Sequence, residues 1–228
     1  MRFSIRTLAV HCALLLLCGN LWAQTVRDQE IIECRSDEIA VWPDGIDRPA
    51  AHAALHVTYR HDDAPSWFDA KRVANLVSRA AQEWAKCGIS LSVVAPDSVA
   101  PQGTGTVRVQ WSDKGSMGNF GLANLTQRTL SLGPKAFGML RDRNPAHDAL
   151  QTLQMVISHE MGHFLGLMAH SRRCVDVLSY YHDGKGGQCY SRDPAGIRSV
   201  VEYRHILPTA CDIERCRRIN GIGGLPAQ

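Results

Sequence analysis

His159-Glu160-Met161-Gly162-His163-Phe164-Leu165-Gly166-Leu167-Met168-Ala169-His170 holds three imidazoles and one carboxylate within a single short stretch. On an α-helix residues four apart share a face. His159 and His163 can therefore offer ring nitrogens to one ion, while Glu160 flanks it about 100° around the axis. Gly166 can take the left-handed conformation that ends a helix and turns the chain back, which makes His170 a possible third ligand. Three imidazoles suit zinc, and a site with three protein ligands leaves a fourth position where water becomes acidic near neutral pH. A glutamate beside that water can take its proton and hand it to a leaving amine, so these residue types point to metal-assisted hydrolysis of peptide bonds. The competing reading is an exposed helix with incidental histidines. Its weakness is the apolar flank of Met155, Val156, Ile157, Phe164, Leu165 and Leu167, which suits a buried helix.

Working outward, Leu150, Leu153, Ile157 and Met161 form a core stripe on the same helix, and Thr152, Val156, His159 and His163 form a second stripe that faces a cleft. Asn144-Pro145 offers a cap and a first-turn proline for its start. Asp193-Pro194 repeats that device before Ile197, Val200, Val201 and Ile206, which predicts a second amphipathic helix after the site. Upstream, the alternation from Ala54 to Arg60 reads as a half-buried strand, and Val73, Leu76, Val77, Ala80 and Trp84 place an amphipathic helix between Trp67 and Cys87. Ile89–Val94, Thr106–Trp111, Phe120–Leu125 and Thr129–Leu132 complete a small sheet. The expected class is α+β.

Residues 1–23 carry Arg2 and Arg6, an apolar stretch from about Leu8 to Leu17, and Leu21-Trp22-Ala23 before a plausible cut. They read as a signal peptide, too short in its apolar part to span a membrane. Export to an extracellular or periplasmic compartment follows. Losing Arg2 and Arg6 takes the formal net charge from +3 to +1, which does not favour nucleic-acid binding; Arg215-Cys216-Arg217-Arg218 is read as a solvated terminus. Six cysteines remain, and in an oxidising compartment they favour three disulfides. Of 15 pairings, Cys34–Cys87, Cys174–Cys189 and Cys211–Cys216 are the expected set. The rest is expected to form one catalytic domain, 51–218, between an N-terminal arm, 24–50, and a tail, 219–228, in a monomeric protein.

The His159–His170 motif resembles the signature of metzincin-clan zinc endopeptidases, with the matrixins and the small bacterial snapalysins nearest in pattern. It departs in two places. His170 lies one residue later than the clan's third ligand, where Ala169 now stands, and Leu178 occupies the place of the methionine in the turn beneath the metal. Asp176 and His182 are the other possible third ligands. The resemblance implies a twisted mixed sheet with long helices above a cleft and a small C-terminal subdomain below it. It also implies zinc on His159, His163 and His170, with Glu160 as general base. Tyr180 falls where several of these enzymes carry a tyrosine that aids the oxyanion; otherwise it walls the pocket. Gly121–Leu125 resembles the strand along which extended peptides bind, and the implied partner is a protein or peptide substrate. The alternatives are a metzincin-fold binding protein with compromised catalysis, or a zinc hydrolase acting on cell-wall peptides.

Overall fold

The computed structural model describes residues 24–199 and 202–223. The expected signal peptide and the last residues of the tail lie outside the described residues. The alternation after Ala54 produces β1 (Ala54–Tyr59), which buries Leu55 and Val57. β1 runs parallel to both β2 (Ser90–Val93) and β3 (Gly105–Trp111). β3 is parallel to β5 (Thr129–Leu132), and β4 (Gly121–Asn124) pairs antiparallel with β5. The order β2-β1-β3-β5-β4 leaves β4 as an edge strand. With six α-helices among the described residues around this mixed sheet, the class is α+β.

The helices are α1 (Val26–Ile32), α2 (Ala70–Ala85), α3 (Asp113–Ser116), α4 (Pro134–Arg143), α5 (Ala149–Phe164) and α6 (Ala210–Ile219). Asp69 caps α2 by accepting from the Arg72 N–H, and the helix buries Val73, Val77, Ala80, Ala81 and Trp84. These residues share one core with Leu153, Ile157 and Met161 of α5. Complete burial of a Leu or Ile side chain stabilises by about 1.5–3 kcal/mol. The Trp84 indole N–H donates to the Ser158 carbonyl at 2.8 Å, so α2 also fixes α5 along its axis. The histidine-bearing helix is thus anchored from behind by apolar packing.

Four expectations need correction. Asn144 does not start the histidine helix; it ends α4, and Asp148 caps α5 by accepting from the Leu150 N–H. The apolar face of α4, made by Ala136, Phe137 and Leu140, is one turn long and is followed by charged residues, too brief to stand out as a period. After Asp193-Pro194 there is one 3₁₀ turn, Gly196–Ser199, rather than an amphipathic helix. Val200 and Val201 lie outside the described residues, and beyond them Tyr203 is pinned in irregular chain by a hydrogen bond from its hydroxyl to Glu30. The long C-terminal helix is α6.

The Arg215–Arg218 stretch is part of α6 rather than a solvated terminus: Arg215 is buried and ion-paired with Asp47 at 2.7 Å. Finally, Cys34 pairs with Cys211 and Cys87 with Cys216, while Cys174–Cys189 forms as expected. Cys211 and Cys216 sit five apart on one helix, about 140° around its axis, and so face different neighbours. One disulfide ties α6 to the segment after α1, and the other ties it to the end of α2. Within the segment 24–50, Glu30 and Trp42 are buried. Three disulfides are consistent with folding in an oxidising compartment, and no helix among the described residues is long and apolar enough to cross a membrane.

Candidate metal centre

α5 carries His159 and His163 one turn apart and ends at Phe164. The Gly166 N–H donates to His163 O and the Leu167 N–H to Gly162 O, with Gly166 at φ +92°. This is a Schellman ending, in which the left-handed residue lets the last helical carbonyls find donors. It also turns the Leu167 carbonyl toward the His163 ring, whose Nδ1 lies 2.7 Å from it. The cap of the helix is therefore a partner of the second imidazole.

The segment after Gly166 is laid against residues 42–48. The Arg48 N–H donates to Gly166 O, and the Trp42 N–H to His170 O. Between these two bonds Asp47 Oδ1 accepts from the N–H groups of Met168 and Ala169, and the Arg215 guanidinium grips both Asp47 oxygens and the Ala169 carbonyl. Asp44 accepts the His170 N–H through Oδ1 at 3.0 Å and faces His170 Nδ1 through Oδ2 at 2.8 Å. A loop one residue longer than the metzincin pattern is thereby held so that His170 turns toward the helix. Asp44, Asp47 and Arg215 were not foreseen as site residues. Asp44 has a local signal in the turn chemistry of Trp42-Pro43-Asp44-Gly45, whereas Asp47 and Arg215 join the site only through the fold.

His159 Nδ1 faces the Val177 carbonyl at 2.8 Å, and the Val177 N–H in turn donates to Asp212. All three Nδ1 atoms thus face groups that only accept, which places the ring protons there and leaves the three Nε2 lone pairs bare. The Nε2 atoms of His159 and His170 are 3.1 Å apart, and one ligand atom from each of the three rings falls within 4.8 Å of the others. Two neutral acceptors at that distance repel unless a cation sits between them. Nitrogens bound tetrahedrally to zinc at about 2.0–2.1 Å lie roughly 3.3 Å from one another. The His159–His170 pair at 3.1 Å matches that spacing, and the wider spacing of up to 4.8 Å would have to shorten for all three rings to share one ion. Burial holds His159 well below the usual imidazole range and His163 down to about 4, with the neighbouring imidazoles adding to the effect. His170 is also lowered, mainly by burial. The rings are consequently neutral near pH 7.

Glu160 lies in the same cleft, and its Oε2 accepts the Ala123 N–H at 2.8 Å. The strand can come this close because Gly121 has no side chain: a Cβ there would lie 2.4 Å from Val156 Cγ1 and 2.9 Å from Glu160 Cγ. Burial pushes the Glu160 carboxyl up to about 7, against the lowering effect of the Ala123 N–H. The Tyr180 ring stacks on His170 with centroids 3.7 Å apart, and burial followed by the Glu160 and Asp44 charges raises its phenol. Leu178 is fully buried and packs under α5 at Gly162. A cavity of about 400 Å³ opens over these groups, bordered by Gly121–Ala123 of β4 on one side and by Tyr180 on the other.

Asp176 and His182 are not in the cluster. Asp176 is buried in a network with Ser171, Arg173 and Thr209, and His182 is exposed. Cys34, Glu38 and Cys211 also gather, but the two sulfurs are joined in a disulfide and cannot bind an ion.

No family model matches the chain, and no curated protein matches it. Among solved structures the chain is similar to one in the GM1-bound form of the ECX AB5 holotoxin, at TM-score 0.47 and 13% identity, over 79% of this chain and 91% of that one. A likeness of that size bears on neither its fold family nor its function.

Proposed function

We propose that this protein is an exported zinc metalloendopeptidase of metzincin type, with zinc held by His159, His163 and His170. One observation carries the reading. Three imidazoles have their Nδ1 atoms committed to acceptors and one nitrogen each within 4.8 Å of the others, beside a half-buried glutamate, in a cleft edged by an open strand. When bound, zinc would act as a Lewis acid and lower the pKa of a coordinated water towards roughly 7.

The chain's own groups supply the rest. Glu160 takes the proton of the attacking water and returns it to the leaving amine, and a nearby cation would keep its carboxylate ionised despite burial. β4 pairs with an extended peptide through main-chain groups along its free edge. Tyr180 offers an O–H donor at the cleft for the oxygen that gains charge. Leu178 stands where the clan has methionine and forms a floor of similar volume.

The test is direct. The chain, refolded or expressed under oxidising conditions, should carry one zinc per molecule and cleave an unfolded protein substrate. A chelator should abolish cleavage and added zinc restore it. Zinc binding without cleavage of any peptide in a broad library would reject the peptidase reading and favour a binding protein. Absence of zinc affinity would reject the metal assignment.

Asp44 orients His170 from outside the cluster, and loss of such a partner costs about 10–100-fold in metal affinity. Asp44→Ala should therefore weaken zinc binding by that factor in a competition titration with a chromophoric chelator. Unchanged affinity would mean that the backbone clamp at Asp47 alone sets the ring.

A further inference from the structure

A second cavity of about 500 Å³ adjoins the cleft and shares His163 and Met168 with it. Arg48, His52 and Arg128 line it, Leu55 and Phe164 form apolar wall, and no carboxylate lines it. Seven of the described arginines, among them Arg173, Arg192, Arg204 and Arg215, are ion-paired with Asp or Glu, and the others are not. The guanidinium groups of Arg48 and Arg128 have no such partner among the described residues, and both side chains are exposed to an incoming ligand.

Both arginines sit on backbone held firmly against the metal motif. The Arg48 N–H donates to the Gly166 carbonyl, and the Arg48 carbonyl lies where a Cβ on Gly166 would be, 1.9 Å from it. Arg128 closes the β4–β5 turn at φ +55°, a left-handed position where glycine or asparagine is the unstrained choice. An arginine kept there at the cost of strain, beside a cavity short of negative charge, points to use of its side chain. A guanidinium pair binds a carboxylate by charge-assisted, fork-like hydrogen bonds.

We infer that this cavity receives a carboxylate of the peptide substrate, borne by an acidic side chain or by the chain end. The inference rests on the peptidase reading for its biological sense, but its physical content is binding, which can be measured without turnover. The probes are fluorescein-labelled peptides blocked at both ends and identical except for three Glu, three Gln or three Lys. A fourth carries Gln and a free C-terminus, to separate side-chain from terminal carboxylates.

Anisotropy titrations on zinc-loaded Glu160→Gln protein should show at least one carboxylate probe, the Glu peptide or the free-C-terminus peptide, bound about tenfold more tightly than the blocked Gln peptide, and Lys weakest. The preference should fall as salt rises. Arg48→Ala/Arg128→Ala should bring carboxylate and Gln probes together while its circular dichroism stays unchanged. If only the free-C-terminus probe gains, the carboxylate is terminal; if the Glu probe gains, it is a side chain. Equal binding of all four peptides by the parent protein would overturn the inference, and so would a preference that survives the double substitution. Cleavage of the Gln peptide by the unmutated chain, followed in parallel, reports on the peptidase reading separately.

Discussion

Glu160→Gln should leave zinc content unchanged and lower kcat/KM on a peptide substrate by about 10²–10⁴-fold, the range expected when a general base is removed. The two effects separate because Glu160 is not one of the three clustered ligands, yet it lies in the same cleft. Glutamine keeps the shape, and its carbonyl oxygen can still accept the Ala123 N–H, so neither the β4 contact nor the burial should change. What disappears is the ability to take a proton. Wild-type activity in this variant, with zinc quantified in the same sample, would remove Glu160 from the chemistry and leave the metal cluster without a base.

Gly166→Ala should be the most damaging single methyl group in the chain. The residue is at φ +92°, where an L side chain costs about 1–2 kcal/mol. Its Cβ would also stand 1.9 Å from the Arg48 carbonyl oxygen and 3.2 Å from the Ala50 nitrogen. That neighbour is backbone and is held by its own bond to Gly166, so relief requires residues 48–50 to move away. Adding the typical 1–3 kcal/mol of overpacking gives a loss on the order of 3 kcal/mol in urea unfolding. The displacement would also pull Asp44 and Asp47 off the 168–170 segment, so zinc affinity should fall with stability. A variant within about 1 kcal/mol of wild type, too small a change for a clash of this kind, would mean that the 42–48 segment does not brace the site as described.

The helix carrying His159 and His163, its ending at Gly166 and the five strands are all legible from local pattern. In each case the period of apolar residues or a residue with special backbone freedom decides the outcome within one or two turns. The cleft-facing position of Glu160 follows from the same helical geometry. By contrast α4 has only a one-turn apolar face of Ala136, Phe137 and Leu140, and Asp193-Pro194 has the composition of a helix start but is followed by a single 3₁₀ turn. Beyond that turn the Tyr203 hydroxyl donates to Glu30, a partner far away in sequence that no local pattern announces.

The two histidines on α5 and their flanking carboxylate belong to the chain's local chemistry: a repeat of four on a 3.6-residue turn puts His159 and His163 side by side whatever surrounds them. The place of His170 does not. A loop of flexible residues after Gly166 has many conformations, and the one found here is chosen by Asp44 and Asp47 from more than 120 residues earlier and by Arg215 from 45 residues later. The disulfides follow the same division. Cys174–Cys189 closes a loop of separation 15, whereas Cys34–Cys211 and Cys87–Cys216 join partners separated by 177 and 129 residues. Such pairs depend on which faces of α6 meet α1 and α2, and only packing of the whole chain decides that.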